Sequence, residues 1–256
     1  MQIYVCVKHV PDSAASITIT GDAGIEQNIV FLLNPFDEHA ITQAVKICDN
    51  TKNSEVIAIC LGPDDAQKTL QSSLAMGADR GILIQTSENH DSIVTAKALK
   101  TAIDNDGNPD LILTGKESID AEGMQTMFRI GALFDFPAAN SIVKLDLEDD
   151  HAIVDHELSN GIVNTYNLSL PCVIGAGKGL NKPKYPTFPD VVKARKKPIK
   201  TIALTDLNIK PSSTSMTIVK LEPLETKRNP EEIKGTAVQA AEQIVQILRQ
   251  QAKVIS

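Results

Sequence analysis

The feature that most constrains this chain is an alternation, through its first half, of short apolar runs with amphipathic stretches. Gln2–Val7, Glu55–Leu61, Ile82–Ile84 and Leu111–Thr114 are too short and too uniformly apolar for surface helices, and read as buried strands. Between them, Asp37–Cys48 sets Ala40, Ile41, Ala44, Val45, Ile47 and Cys48 near a 3.6-residue spacing, with acidic residues in the first turn where the helix dipole favours them. A second helix, Asp64–Met76, starts after Gly62-Pro63 and ends at Gly77, where a left-handed cap is needed. Ser92–Ile103 is the third. Strands joined by single helices require right-handed crossovers, and therefore a parallel sheet. The fold class is an open, mainly parallel α/β sheet flanked by helices. Ligands of such sheets sit at the carboxyl ends of the strands.

Beyond residue 140 the pattern changes. Ser141–Leu147, Ala152–Glu157 and Ile162–Leu168 follow one another across short polar breaks, which predicts an antiparallel extension of the sheet. Residues 176–200, rich in Gly, Pro and Lys, read as a long loop passing into a basic segment. Pro211–Ser215 has linker composition, and Glu231–Gln250 carries Ile233, Ala237, Ala240, Ala241, Ile244, Val245 and Leu248 on one helical face. The expected division is an α/β domain over 1–207 and a C-terminal arm with an amphipathic helix over 208–256. That apolar face needs a surface, on this chain or on another.

Charge and cysteine usage exclude several function classes. A net charge of -7 argues against general nucleic-acid binding, which needs a basic face. No apolar run approaches the ~20 residues of a membrane span, and the opening MQIYVCVKHV lacks a signal-peptide layout. Cys6, Cys48, Cys60 and Cys172 form no CxxC pair and lie in apolar settings, so they read as reduced core residues of a cytoplasmic protein. No metal site is expected. The histidines at 9, 39, 90, 151 and 156 are scattered, and no nucleophile elbow is present, so no catalytic residue is assigned.

The loops at the carboxyl edge are Lys8–Asp12, Leu61–Pro63 and Thr114–Asp120. The last leads into a helix expected over Ala121–Phe134, whose start offers N–H groups to an anionic phosphate, with Gln125 and Thr126 as added donors. On residues alone, a nucleotide site and ordinary polar loops both stay open. The chain lacks GxGxxG after its first strand. Gly175-Ala176-Gly177-Lys178-Gly179 fails the Walker pattern, because Cys172 stands at the first glycine position and Gly179 at the Ser/Thr position.

Six segments taken in order resemble the electron-transfer flavoprotein beta subunit. They are Tyr4–Val10, Asn34–Glu38, Leu61–Pro63, Leu74–Gly81, Gly115–Asp120 and Asn181–Asp190, the last leading into Lys193–Ile199. The resemblance implies an adenine-nucleotide hydrolase-like sheet and a heterodimer with a larger alpha subunit that shares FAD with this chain. It also implies an AMP in this subunit, or a second FAD in its place where the complex splits electron pairs. Carried over, the nucleotide pocket takes Cys6, Asn34, Leu61, Gly62, Gly115, Asp120, Gly123, Met124, Gln125 and Thr126. Met124 and Met127 depart from the Asn and Gly of AMP-binding members, and the D-T-A-Q-V-G-P pattern of the FAD-binding ones is absent. Tyr185, Phe188 and Pro189 belong to a recognition loop, about 181–197, that would dock a flavin dehydrogenase of acyl-CoA dehydrogenase type; Phe188 replaces a usual leucine there. The rivals are an ATP-dependent hydrolase-like enzyme, which would need a glycine-rich loop after the first strand, and a nucleotide-sensing stress-type protein, for which the loop and arm are surplus.

Overall fold

The computed structural model describes residues 1–26, 28–209, 218–224, 230 and 232–255. They fall into two compact units, Met1–Val219 and Lys220–Ser256. In chain order the first unit runs β1 (Gln2–Val7), β2 (His9–Pro11), β3 (Ile19–Thr20), β4 (Gly24–Ile25), β5 (Phe31–Leu33), α1 (Pro35–Asp49) and β6 (Glu55–Gly62). It continues with α2 (Gln67–Met76), β7 (Arg80–Gln85), α3 (Ser92–Asp104), β8 (Leu111–Gly115), α4 (Thr126–Phe134), β9 (Ala138–Leu147), β10 (His151–Glu157) and β11 (Val163–Ser169). β12 (Cys172–Ala176), α5 (Phe188–Ala194) and β13 (Ile199–Ala203) complete it.

One sheet carries nine of these strands, ordered β11-β10-β9-β12-β8-β1-β6-β7-β13. From β9 to β13 neighbours are parallel, and β9, β10 and β11 form the expected antiparallel extension. Strand alternation divides the core into two layers. Ile3, Val5 and Val7 pack with Ala40, Ile41 and Ala44 of α1 and with Leu70 and Leu74 of α2. Tyr4 and Cys6 pack with Ala96 and Leu99 of α3 and with Met127 and Ile130 of α4. Thus α1 and α2 cover one face, and α3 and α4 the other. The chain leaves β1 toward the first face and β8 toward the second, and these two strands are neighbours. The topological switch point falls between them.

Three expected elements differ. The helix expected from Ala121 begins at Thr126, because Glu122 and Met124 take positive φ values of 48° and 51°, which no right-handed helix accommodates. The stretch 176–200 is not all loop: Thr187 and Asp190 form a capping box that starts α5, and Ile199–Ala203 adds β13 to the sheet edge beside β7. In the second unit, α6 (Ala237–Gln246) starts after the Thr236/Gln239 capping box and runs into a π-helical turn at Ile247–Gln251. Residues 232–235 precede it outside the helix, with Gly235 at φ 133°, and Glu231 lies outside the described residues. Pro211–Ser215 lies outside them too. Gly77 does end α2, with φ 133° rather than the left-handed helical value.

Candidate functional site at the strand tips

The loops at the switch point are tied together by one carboxylate. Asp37, in the first turn of α1, is 4% exposed. Its Oδ2 accepts from the Lys8 amide at 2.7 Å, and its Oδ1 from the Gly115 amide and Asn34 Nδ2, both at 2.9 Å. It therefore bridges the tips of β1 and β8. Burial pushes the Asp37 carboxyl up to about 7, against hydrogen bonds from Asn34, Lys8 and Gly115 that lower it. Gly115 is required here, since a Cβ would stand 2.4 Å from Asp37 Oδ1 and 2.7 Å from Phe36 Cβ.

Asn34 extends the knot into the loop after β8. Its Nδ2 also donates to the Glu117 carbonyl at 2.9 Å, and its Oδ1 accepts from the Ile119 amide at 3.2 Å. Lys8 closes the outer side: its ammonium lies 2.7 Å from both Asp120 carboxylate oxygens and donates to Ser118 Oγ at 3.2 Å. On the α1 side the strand tips are thus closed by side chains. Of the pocket residues expected from the sequence, Asn34, Gly115 and Asp120 belong to this closure. Neither Asp37 nor Lys8 was singled out as a side chain, because partners 78 and 112 residues away leave no local pattern.

The remaining residues gather on the α3–α4 side. Cys6 is buried there and Leu61 half-buried. Burial pushes the Cys6 thiol above its ordinary range, with the Asp37 charge adding to it, so it is an inert wall group rather than a nucleophile. Gly62 is buried, and its carbonyl accepts from the Thr86 amide at 2.9 Å. Gly123 and Met124 stand exposed at the loop tip, with nothing within 4 Å of a Cβ at Gly123. Thr126 opens α4 half-buried, and no side chain caps this helix. Its first-turn N–H groups suit an anion. Gln125 Oε1 accepts instead from Arg129 Nη2 at 2.6 Å and from Ser92 Oγ at 3.4 Å. A polar cleft lined by Val45, Cys48, Asp79 and neighbours lies at the opposite, amino end of the sheet. No group of His, Cys, Asp or Glu suited to a metal ion occurs among the described residues.

The segment expected to meet a partner is exposed at its aromatic positions and fixed at its ends. Tyr185 is 74% and Phe188 82% exposed, and Pro189 is exposed beside them. Asn181 anchors the start: its Nδ2 donates to the His39 carbonyl at 2.9 Å and to Gln43 Oε1 at 3.2 Å, while His39 Nδ1 meets the Asn181 carbonyl at 3.0 Å. At the other end Ala194 is buried. Lys197 donates to the carbonyls of Leu74 and Ala78 at 3.1 and 2.6 Å. Lys197 thus serves the carboxyl end of α2, where a cation is favoured.

The model of the electron transfer flavoprotein domain matches residues 24–207. The mitochondrial electron transfer flavoprotein subunit beta of Arabidopsis thaliana is 37% identical, and the alignment covers all of both chains. The Bradyrhizobium diazoefficiens electron transfer flavoprotein subunit beta is 32% identical over all of both chains, and that of Homo sapiens 31% over 99% of each. By fold, by order of motifs and by full-length similarity, the chain belongs to the electron transfer flavoprotein beta-subunit family.

Proposed function

We propose that this chain is the smaller half of a heterodimer that carries electrons between a flavin dehydrogenase and a further acceptor. An alpha subunit holds FAD jointly with it, and that flavin supplies the redox chemistry when bound. This chain contributes binding, shape and a docking surface. The observation that carries the reading is the Phe188 side chain, 82% exposed on a segment anchored at both ends. An apolar aromatic held in water on a fixed support is suited to a transient interface. An acyl-CoA dehydrogenase type of partner is the one we infer.

An adenine nucleotide occupies the strand tips in this reading, on the α3–α4 side rather than the side Asp37 closes. Cys6, Leu61 and Gly62 line its base end, and Thr126 with the uncapped start of α4 receives phosphate. AMP is the nucleotide we favour, with a second FAD the alternative. The arm after residue 207 would wrap the alpha subunit; Val238, Ile244 and Val245 of α6 are exposed apolar candidates for that contact. No helix among the described residues is long and apolar enough to cross a membrane. All four cysteines are free, which fits a reducing compartment, and the cytoplasm is the one we infer.

Co-expression with an alpha subunit is expected to give a yellow 1:1 complex, and mass spectrometry of ligand released by denaturation to find one FAD and one AMP per heterodimer. Two FAD per heterodimer would select the alternative. A colourless chain that ignores the alpha subunit would overturn the assignment.

A further inference from the structure

Arg129 sits one turn into α4 and reaches back toward the loop before it. Its Nη2 donates to Gln125 Oε1 at 2.6 Å, and Ser92, at the start of α3, donates to the same oxygen at 3.4 Å. Three side chains from the amino ends of α3 and α4 therefore meet beside the strand tips. The Arg129 Nε is shut off from water and has no acceptor, the one buried side-chain polar atom left so among the described residues. No carboxylate among them pairs with this guanidinium either. An unbonded buried N–H leaves its lost hydration uncompensated, and a guanidinium carries its charge there with it. Such a group is expected to find an anionic acceptor, and the Nε and Nη2 edge presents two parallel donors to one.

We propose that Arg129 is the phosphate-binding cation of this crevice, with Gln125 Oε1 holding the fork in place until a phosphate oxygen replaces it. This rests on reading the α3–α4 side as the nucleotide site, and adds the residue that makes that site select a nucleotide over its nucleoside. The family resemblance did not mark Arg129. The signal is the solitary cation four residues beyond Gln125, at a spacing that places both on one helix face.

The test is titration of AMP and of adenosine into the full-length chain in its complex with an alpha subunit, freed of bound nucleotide. Arg129→Met is expected to weaken AMP at least tenfold and adenosine less than threefold. Arg129→Lys keeps the charge without the fork and should recover only part of the loss, which also covers the case in which the methionine variant fails to fold. An Arg129→Met variant that binds AMP as wild type does overturns the inference and leaves the pocket reading intact; wild type that binds AMP no better than adenosine overturns it together with the phosphate role given to Thr126 and the start of α4, leaving only the base end of the pocket. Wild type that binds neither compound overturns the pocket reading and the inference with it.

Discussion

At the scale of the residue, Asp37 decides how the two central loops are spaced. A carboxyl near 7 in the fold and about 4 in the unfolded chain is proton-richer when folded between those values. Its contribution to stability is then full below about pH 4, declines as pH rises toward 7, and is level above. The melting-temperature difference between wild type and Asp37→Asn, which does not titrate there, is expected to fall from pH 4 to 7. A difference that grows over that range would mean the three donors keep the carboxylate ionised. Gly115→Ala attacks the same knot by shape alone. Its added Cβ meets Asp37 Oδ1 at 2.4 Å and backbone carbon of Phe36 at 2.8 Å, so one partner must move. A loss of about 1–3 kcal/mol in urea unfolding is expected.

At the scale of the element, the amino ends of the parallel strands are held by a second cluster. Arg80 of β7 donates through Nη1 and Nη2 to Asp106 at 3.0 and 2.7 Å and through Nε to Glu55 of β6 at 3.0 Å, while the Tyr4 hydroxyl of β1 donates to Asp106 at 2.8 Å. Three neighbouring strands and the turn after α3 thus share one ion cluster, far from the strand tips. Burial alone would raise the Asp106 carboxyl, but hydrogen bonds from Arg80 and Tyr4 outweigh it and hold the group below the ordinary range. Arg80→Met is expected to cost about 2 kcal/mol at neutral pH. A depressed carboxyl contributes above its unfolded value and loses that contribution in acid, so the gap to wild type should close below about pH 4, measured by denaturation across pH. The strands and helices that carry this cluster were legible because burial forces apolar runs and 3.6 spacing into the sequence. The start of α4 was not, since the positive φ at Glu122 and Met124 is imposed by the loop. Nor was α5, whose seven residues leave too few turns for a period to show.

At the scale of the whole molecule, spatial order was the least legible property. Cys172–Ala176 follows the antiparallel extension in sequence yet lies between β9 and β8 in the sheet, and no local pattern in an apolar run says where it will pair. The candidate site shares that opacity: the motif segments were readable one by one, but not that Asn34, Gly115 and Asp120 close one side of the tips while Gln125 and Thr126 border the other. The segment proposed for recognition depends on the same assembly. Asn181 ties it to α1 and Lys197 to α2, so its two ends inherit the rigidity of the first core layer, and Phe188 touches little that the fold needs. Phe188→Ala should therefore leave the melting curve unchanged within about 0.5 kcal/mol, while slowing reduction of the proposed alpha–beta complex by a flavin dehydrogenase of the proposed type at least tenfold in stopped-flow measurements. Asn181→Ala should slow it less, since Lys197 still holds the far end. Reduction as fast in Phe188→Ala as in wild type would show that docking uses another surface, and loss of stability in that variant would mean the side chain serves the fold rather than the encounter.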